Sequence, residues 1–295
     1  MNKRGSLKNS LTAYLYLSPA LLGLLFLTLI PILGVIGISL TSWSGLEEPK
    51  FVGLLNYENI LTKDFYFAKA VFATLYFALG SVLVGIAYSF GMALMLNQKI
   101  PGRGFWRSVF FIPYIVPAIT VNVVWAWMYE ANFGVINFVL NELGFDKLPW
   151  LNDEHFSVPS LILMTVWGCG SLIVIFLAGL QNVPRTYMEA VAIDGGNFWH
   201  RFVHITLPMM SPIIFFNFLI SMITNLQVFV PAYALTKGGP GDSSLFMVYL
   251  IFREGFTHNN FGYASGLSLI FFVFIVLLTV LIFATSRKWM FYEGE

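Results

Sequence analysis

Ala70-Val-Phe-Ala-Thr-Leu-Tyr-Phe-Ala-Leu-Gly-Ser-Val-Leu-Val-Gly-Ile-Ala-Tyr-Ser-Phe-Gly-Met-Ala-Leu-Met-Leu-Asn-Gln98 runs 29 residues without Asp, Glu, Lys or Arg. A helix of ~20 apolar residues crosses the ~30 Å hydrocarbon core of a bilayer, so this stretch reads as a membrane span. Five more charge-free runs are long enough: Asn9–Leu46, Ser108–Tyr129, His155–Pro184, Phe202–Thr236 and Gly255–Ser286. The predicted fold is all-α: one polytopic membrane domain over residues 1–295 with six transmembrane helices.

Composition agrees. Of 295 residues, 58% are hydrophobic and 11% charged, against about 25% charged in an average soluble domain. So few charges cannot cover a soluble domain of this size, which excludes an ordinary cytosolic enzyme, a disordered chain and a collagen-like chain. The net charge of +1 carries no basic excess that would point to nucleic acid. The single cysteine, Cys169, excludes an intrachain disulfide framework or a multi-cysteine metal site. Beside Trp167, Gly168 and Gly170 it reads as a buried, inert thiol.

Lys3, Arg4 and Lys8 precede the first apolar run as they would in a signal peptide. The run far exceeds the ~7–15 residues of a signal core, and no small-x-small cleavage site follows. A retained helix is expected. With the N-terminus placed inside, the inner segments carry ten Lys and Arg and the outer ones six, while acids number four inside and eleven outside. Both termini are therefore predicted on the cytoplasmic side.

Between spans, Phe51-Val-Gly-Leu-Leu-Asn-Tyr57 is apolar but too short to cross and reads as an interfacial segment. Ile136, Val139, Leu140 and Leu143 share one helical face, with Asn132 placed to cap a short helix and Gly144 to end it. A loop packed on the outer rim accounts for the same residues. Gly238-Gly-Pro-Gly241 reads as a turn. Pro31, Pro113, Pro117, Pro208 and Pro212 fall inside spans and predict kinks.

The span centres carry no Asp, Glu, His or Arg of the kind that proton relays use. The chain has no His-Glu-x-x-His, no Gly-x-Ser-x-Gly and no Gly-x-x-x-x-Gly-Lys-Ser/Thr motif. It is expected to bind no metal and no cofactor of its own and not to hydrolyse ATP, so any uphill transport draws its energy from a partner. Neutral polar groups do fall inside spans: Asn122, Asn217, Thr224, Asn225 and Gln227. They can line a path for a hydroxyl-rich solute or hydrogen-bond between helices.

The longest inner loop, Asn182–Pro208, has a helix–turn–helix grammar. Pro184 suits a first helical turn, and Tyr187, Met188, Glu189, Ala190 and Ala192 favour helix. Asp194-Gly195-Gly196 breaks the helix, and Asn197 can cap the next one. The loop is too apolar for a solvated segment. It reads as a docking element or as a loop folded back on the membrane.

Here the sequence resembles the permease subunits of binding-protein-dependent ABC importers, whose Glu-Ala-Ala-x-x-x-Gly loop extends toward an Ile-x-Leu-Pro. The match lies at Glu189, Ala190, Ala192, Asp194, Gly195, Ile205, Leu207 and Pro208. The chain departs at Val191 and Gly196, where the family usually has Ala, and these departures could alter the turn. The sugar and glycerol-phosphate (maltose-type) branch is similar further along the chain. It matches at Phe51-Val-Gly-Leu-x-Asn-Tyr, at Phe111-Ile-Pro-Tyr with Pro117, at Pro149-Trp-Leu and at Leu177-Ala-Gly-Leu-Gln. Leu235-Thr-x-Gly-Gly-Pro-Gly and Gly262-Tyr-Ala-Ser-Gly complete it.

The resemblance implies a type I importer permease in the inner membrane of a prokaryote. Residues 182–208 would then insert a coupling helix, Tyr187 through Gly196, into a cytoplasmic ATPase dimer that carries the ATP and Mg. It also implies a second, homologous permease and an extracytoplasmic solute-binding protein. Glu189 would pair with a basic group on the ATPase, and Gly195 would set the turn. The alternative is a secondary transporter, which would need ion ligands or broken helices near the membrane midplane.

Overall fold

The computed structural model describes residues 3–286, with side chains from residue 13 onward. The basic residues assigned to the C-terminal inner flank, Arg287 and Lys288, lie outside the described residues.

The elements run α1 (Lys3–Leu24), α2 (Ile30–Ser39), β1 (Thr41–Ser42), β2 (Lys50–Phe51), α3 (Leu55–Thr62), α4 (Phe65–Asn97), α5 (Arg103–Ile115) and α6 (Ala118–Met128). They continue with α7 (Val135–Glu142), α8 (Glu154–Trp167), α9 (Gly170–Asn182), α10 (Arg185–Ile193), α11 (Phe198–Arg201), α12 (Leu207–Leu226), α13 (Met247–Phe252) and α14 (Phe261–Ser286). A π-helical turn, Leu25–Leu29, joins α1 to α2, and another, Phe202–Thr206, joins α11 to α12.

Four helical stretches are continuous and apolar enough to cross a membrane: Ala13–Ser39, Phe65–Asn97, Phe198–Leu226 and Phe261–Ser286. The other two expected spans are broken: α5 and α6 meet at 98°, and α8 and α9 at 52°. Six spans result if each bent pair counts as one. The first break follows from Pro117. Val116 before it takes an extended backbone, with ψ 132°, because the proline ring excludes the helical conformation from its predecessor. The second break, at Gly168-Cys169, has no proline and was not anticipated. Gly168 caps α8, and a Cβ added at Gly170 would stand 2.6 Å from the Phe110 carbonyl oxygen. Side-chain-free backbone thus lets α9 restart against α5.

The chain divides into two compact units, Met1–Asp64 with Ile251–Phe272, and Phe65–Leu250 with Val273–Glu295. In the first, buried Asn56 donates from Nδ2 to the carbonyls of Ser39 (2.8 Å) and Thr41 (2.9 Å). Tyr57 shares a 2.7 Å hydrogen bond with Ser39 Oγ, and β1 pairs antiparallel with β2. At the start of α14, the amides of Phe261 and Gly262 donate to the Trp43 carbonyl. A Cβ at Gly262 would collide with the Thr41 carbonyl, and one at Gly266 would stand 3.1 Å from Ile60. Tyr263 donates to Asp64 at 2.6 Å. The Phe51–Tyr57 and Gly262–Gly266 motifs are thus two halves of one clasp on the segment after α2, satisfying the Ser39, Thr41 and Trp43 carbonyls. Phe51–Tyr57, expected as an interfacial segment, runs from the end of β2 into the first turn of α3.

In the second unit, α4 packs against α8, α9 and α12. Small residues set the approach: Gly80 receives Ile162, Gly85 receives Cys169, and Gly179 receives Ile213 and Met210. Close backbone approach of this kind drives helix association where the solvent is itself apolar. One buried cluster centres on Phe77, Leu161 and Phe246, and the other on Phe176, Leu180 and Met210. Thr74 Oγ1 accepts the Met247 amide at 2.8 Å while donating to the Ala70 carbonyl, so a hydroxyl on α4 satisfies an otherwise orphaned N–H at the start of α13.

Asn56→Ala removes both donors from buried carbonyls. The expected loss is about 1–3 kcal/mol, read as a lower unfolding midpoint of the detergent-solubilised protein. An unchanged midpoint contradicts the clasp.

Candidate functional site

The 182–208 segment folds as its residues predict. Pro184 stands in an extended conformation before α10. The helix ends in a Schellman turn: Gly196 N–H donates to the Val191 carbonyl at 2.8 Å and Gly195 N–H to the Ala192 carbonyl at 3.2 Å. Gly195 sits at φ +75°, where an L side chain is strained. Asn197 Oδ1 accepts the His200 amide at 3.0 Å and caps α11. Phe198, Trp199 and Phe202 pack edge to face or stacked, with centroids 5.8–6.3 Å apart.

The element is exposed. Ile193 is 86% accessible and Trp199 65%, and no residue of α10 or α11 is buried. Tyr187, Glu189, Ala190, Ala192, Asp194 and Gly195 are exposed, while Met188 and Gly196 are half-buried. The capped turn holds these apolar side chains out from the fold.

Val191 and Gly196, the two departures from the resembling family's pattern, touch each other. A Cβ at Gly196 would overlap Val191 Cγ1 and stand 2.9 Å from the Val191 carbonyl. The branched side chain at 191 occupies the volume that a methyl at 196 would need.

The polar residues predicted inside spans separate into groups. Asn122 on α6 and Asn217 on α12 are buried; Asn225 is half-buried; Thr224 and Gln227 are exposed. Each of the first four turns back on its own helix, donating to the carbonyl four residues earlier: Asn122 to Ala118, Asn217 to Ile213, Thr224 to Ile220 and Asn225 to Ser221. Gln227 caps α12. No described hydrogen bond joins Asn122 to the α12 group. Asn122 Oδ1 is buried and has no hydrogen-bond partner among the described residues.

Other polar positions were not singled out in the sequence. Asn137, fully buried, donates to the carbonyls of Ala131 and Leu148 and accepts from the Leu148 amide and Trp150 Nε1, all within 3.0 Å. It seats the short helix α7 and fixes Trp150 of the Pro149-Trp-Leu motif. Gly134, not Asn132, stands at the α7 N-cap. Asn132 instead donates its amide to Glu130, which also accepts from the Phe133 amide. These bonds hold the Glu130 carboxyl below its ordinary range, the Phe133 amide foremost. A cavity of about 470 Å³ opens beside Tyr129, Glu130, Asn152 and Thr236, next to the tilted ring contacts of Tyr129 with Trp125 and Trp150. A second, of about 400 Å³, is lined by Tyr76, Glu154, His155 and the Lys69–Asp242 ion pair. The i, i+4 spacing of Trp125 and Tyr129 was the available signal. The Gly238–Gly241 turn lies between these groups, with Ser244 Oγ bonded to Thr236 Oγ1 and the Gly239 carbonyl.

Residues 85–290 match the family described as the inner membrane component of binding-protein-dependent transport systems. The chain belongs to this family. The matched region includes the whole α10–α11 element. Among its relatives, the probable ABC transporter permease YesP of Bacillus subtilis is 35% identical, over 98% of this chain and 94% of that one. The trehalose/maltose permease MalF of Thermococcus litoralis is 31% identical over 93% of each, and the arabinooligosaccharide permease AraP of Bacillus subtilis is 31% identical over 96% and 90%. The fold matches a chain of the bacterial alginate ABC transporter, solved with an alginate-pentasaccharide-bound periplasmic protein, at TM-score 0.83 and 19% identity over 96% of both chains. The protein is therefore a multi-pass membrane permease.

For this permease, Gly196→Ala alone overpacks the turn against Val191 by about 1–3 kcal/mol. Limited proteolysis of segment 182–208 should accelerate severalfold, and Val191→Ala in the same chain should restore part of the resistance, the backbone contact to the 191 carbonyl remaining. If both variants are cut like the parent, the compensation is absent.

Proposed function

We propose that this chain is one permease subunit of an ABC importer that forms the translocation path for a sugar or a related polyol or sugar phosphate. It works beside a homologous permease, in the inner membrane of a prokaryote with both termini inside. The observation that carries the reading is the exposed, capped α10–turn–α11 element in a chain whose family serves binding-protein-dependent transport. Relatives named for trehalose/maltose and arabinooligosaccharides support a carbohydrate cargo.

Energy comes from ATP and Mg on a separate cytoplasmic ATPase dimer. The chain's own part is mechanical. Ile193, Phe198 and Trp199 supply apolar area to the ATPase surface, and Glu189 supplies a charge for a basic group there. The α11 helix, its π-turn and α12 form one continuous helical stretch, Phe198–Leu226. Force on the turn thus reaches the amides of α12 directly. An extracytoplasmic binding protein delivers the solute.

Inside the membrane, Asn122 Oδ1 offers an open acceptor to a sugar hydroxyl, and Asn217, Thr224, Asn225 and Gln227 place further polar groups along α12. A neutral polar path suits a hydroxyl-rich solute, which needs hydrogen bonds rather than counter-charges.

A tagged chain, pulled down from gently solubilised membranes, should bring an ATPase and a second permease with measurable ATP hydrolysis. Glu189→Ala should leave the chain inserted and folded and reduce ATPase recovery severalfold. Normal recovery and transport in that variant contradict the role of Glu189, and recovery of the chain alone contradicts the importer reading.

A further inference from the structure

Four cations converge where α4, α5, α9 and α10 meet. Lys99 follows α4, Arg103 and Arg107 lie on the first turns of α5, and Arg185 opens α10. All four line one cavity of about 470 Å³, with Gln181 and Met188. Among the described residues, no carboxylate lines it. The described ion pairs lie elsewhere, on Glu58, Asp242 and Glu254. Arg107 Nε and Nη2 are buried and have no hydrogen-bond partner among the described residues. Concentrated positive charge without an internal counter-ion calls for an external anion.

A second cavity of about 200 Å³ adjoins the first, sharing Arg107 and Gln181. Its other walls are apolar, chiefly Leu96, Phe110, Phe111, Val174 and Leu177. Beside the cations, Phe105 and Trp106 are exposed on α5, an aromatic pair of the kind that sits at headgroup depth. The combined shape is a basic bowl opening into an apolar slot at the edge of the hydrocarbon. A free phosphate would use only the bowl, and a protein carboxylate has no use for the slot.

We propose that this paired cavity is a binding site for an anionic phospholipid, its phosphate held by Lys99, Arg103, Arg107 and Arg185 and the start of one acyl chain lying along Phe110, Phe111, Val174 and Leu177. Arg107 stands at the junction, where the phosphate joins the glycerol. Arg185 and Met188 belong to the first turn of α10, so the bound headgroup ties α5 to the helix that leads into the exposed turn. The site follows from charge and cavity alone and stands whether or not that turn docks an ATPase.

The test is native mass spectrometry of the full-length chain in mild detergent, with phosphatidylglycerol and phosphatidylcholine of identical acyl chains added in equal amounts. At about 1 kcal/mol per surface cation, several cations make retention of phosphatidylglycerol on the order of tenfold or more over phosphatidylcholine. Arg107→Gln with Arg185→Gln should bring the ratio near one, while Arg107→Lys with Arg185→Lys, which keeps the charge, should preserve the preference. Equal retention of the two lipids by the parent chain overturns the proposal, even if the glutamine variant fails to fold. So does an unchanged ratio in a folded glutamine variant. Displacement of phosphatidylglycerol by equimolar inorganic phosphate would show an anion pocket rather than a lipid site.

Discussion

Within hydrocarbon, a backbone or side-chain polar group that finds no partner costs several kcal/mol, and the architecture is organised around that constraint. Where helices run unbroken, as in α4 and α14, the backbone satisfies itself. Where the chain leaves the helix, a side chain is placed to repair the loss. Asn56 covers the carbonyls at the end of α2, Asn137 gathers the loop around α7, and Thr74 takes the first amide of α13. Asn122, Asn217, Thr224 and Asn225 inside spans obey the same rule by donating to the carbonyl one turn back. The buried Asn122 Oδ1, without a hydrogen-bond partner among the described residues, departs from it.

The same constraint explains why the two broken spans are built differently. At Pro117 the break is written into the covalent structure, since proline lacks an N–H and excludes helix from its neighbour. At Gly168-Cys169 it depends on glycine allowing α9 to approach α5 closely. The broken helices that a secondary transporter would use are therefore present, but no Asp, Glu, Lys or Arg lies between Ser108 and Tyr129 to hold a coupling ion.

The helical class, the span positions and the turn at Asp194-Gly195-Gly196 were legible because each rests on a local rule: charge-free length, proline geometry, glycine at positive φ. What escaped the sequence depended on distant pairing. Asn56 and Gly262 lie more than two hundred residues apart, so nothing local announces that they hold neighbouring carbonyls of one segment, Ser39 and Thr41 for Asn56 and Trp43 for Gly262. Asn132 was the obvious cap by residue type, yet Glu130 captured its amide and the neighbouring one first. Val191 and Gly196 each looked like a minor departure, and their mutual contact makes them one compensated change. The basic cavity was visible only as scattered Lys and Arg that set the inside-positive bias.

The central claim is that the turn after α10 is the surface through which this permease meets its energy source. Ile193 is the most exposed large apolar residue of that turn, and the one native cysteine, Cys169, can be replaced by serine. The most direct measurement is disulfide or short bifunctional cross-linking from Ile193→Cys, in the Cys169→Ser chain, within the complex isolated from membranes. The account predicts a cross-link to the ATPase subunit, with the cross-linked residues falling in one cleft. Cross-links only to lipid-facing segments of the permeases would contradict it and show that the turn folds back on the membrane.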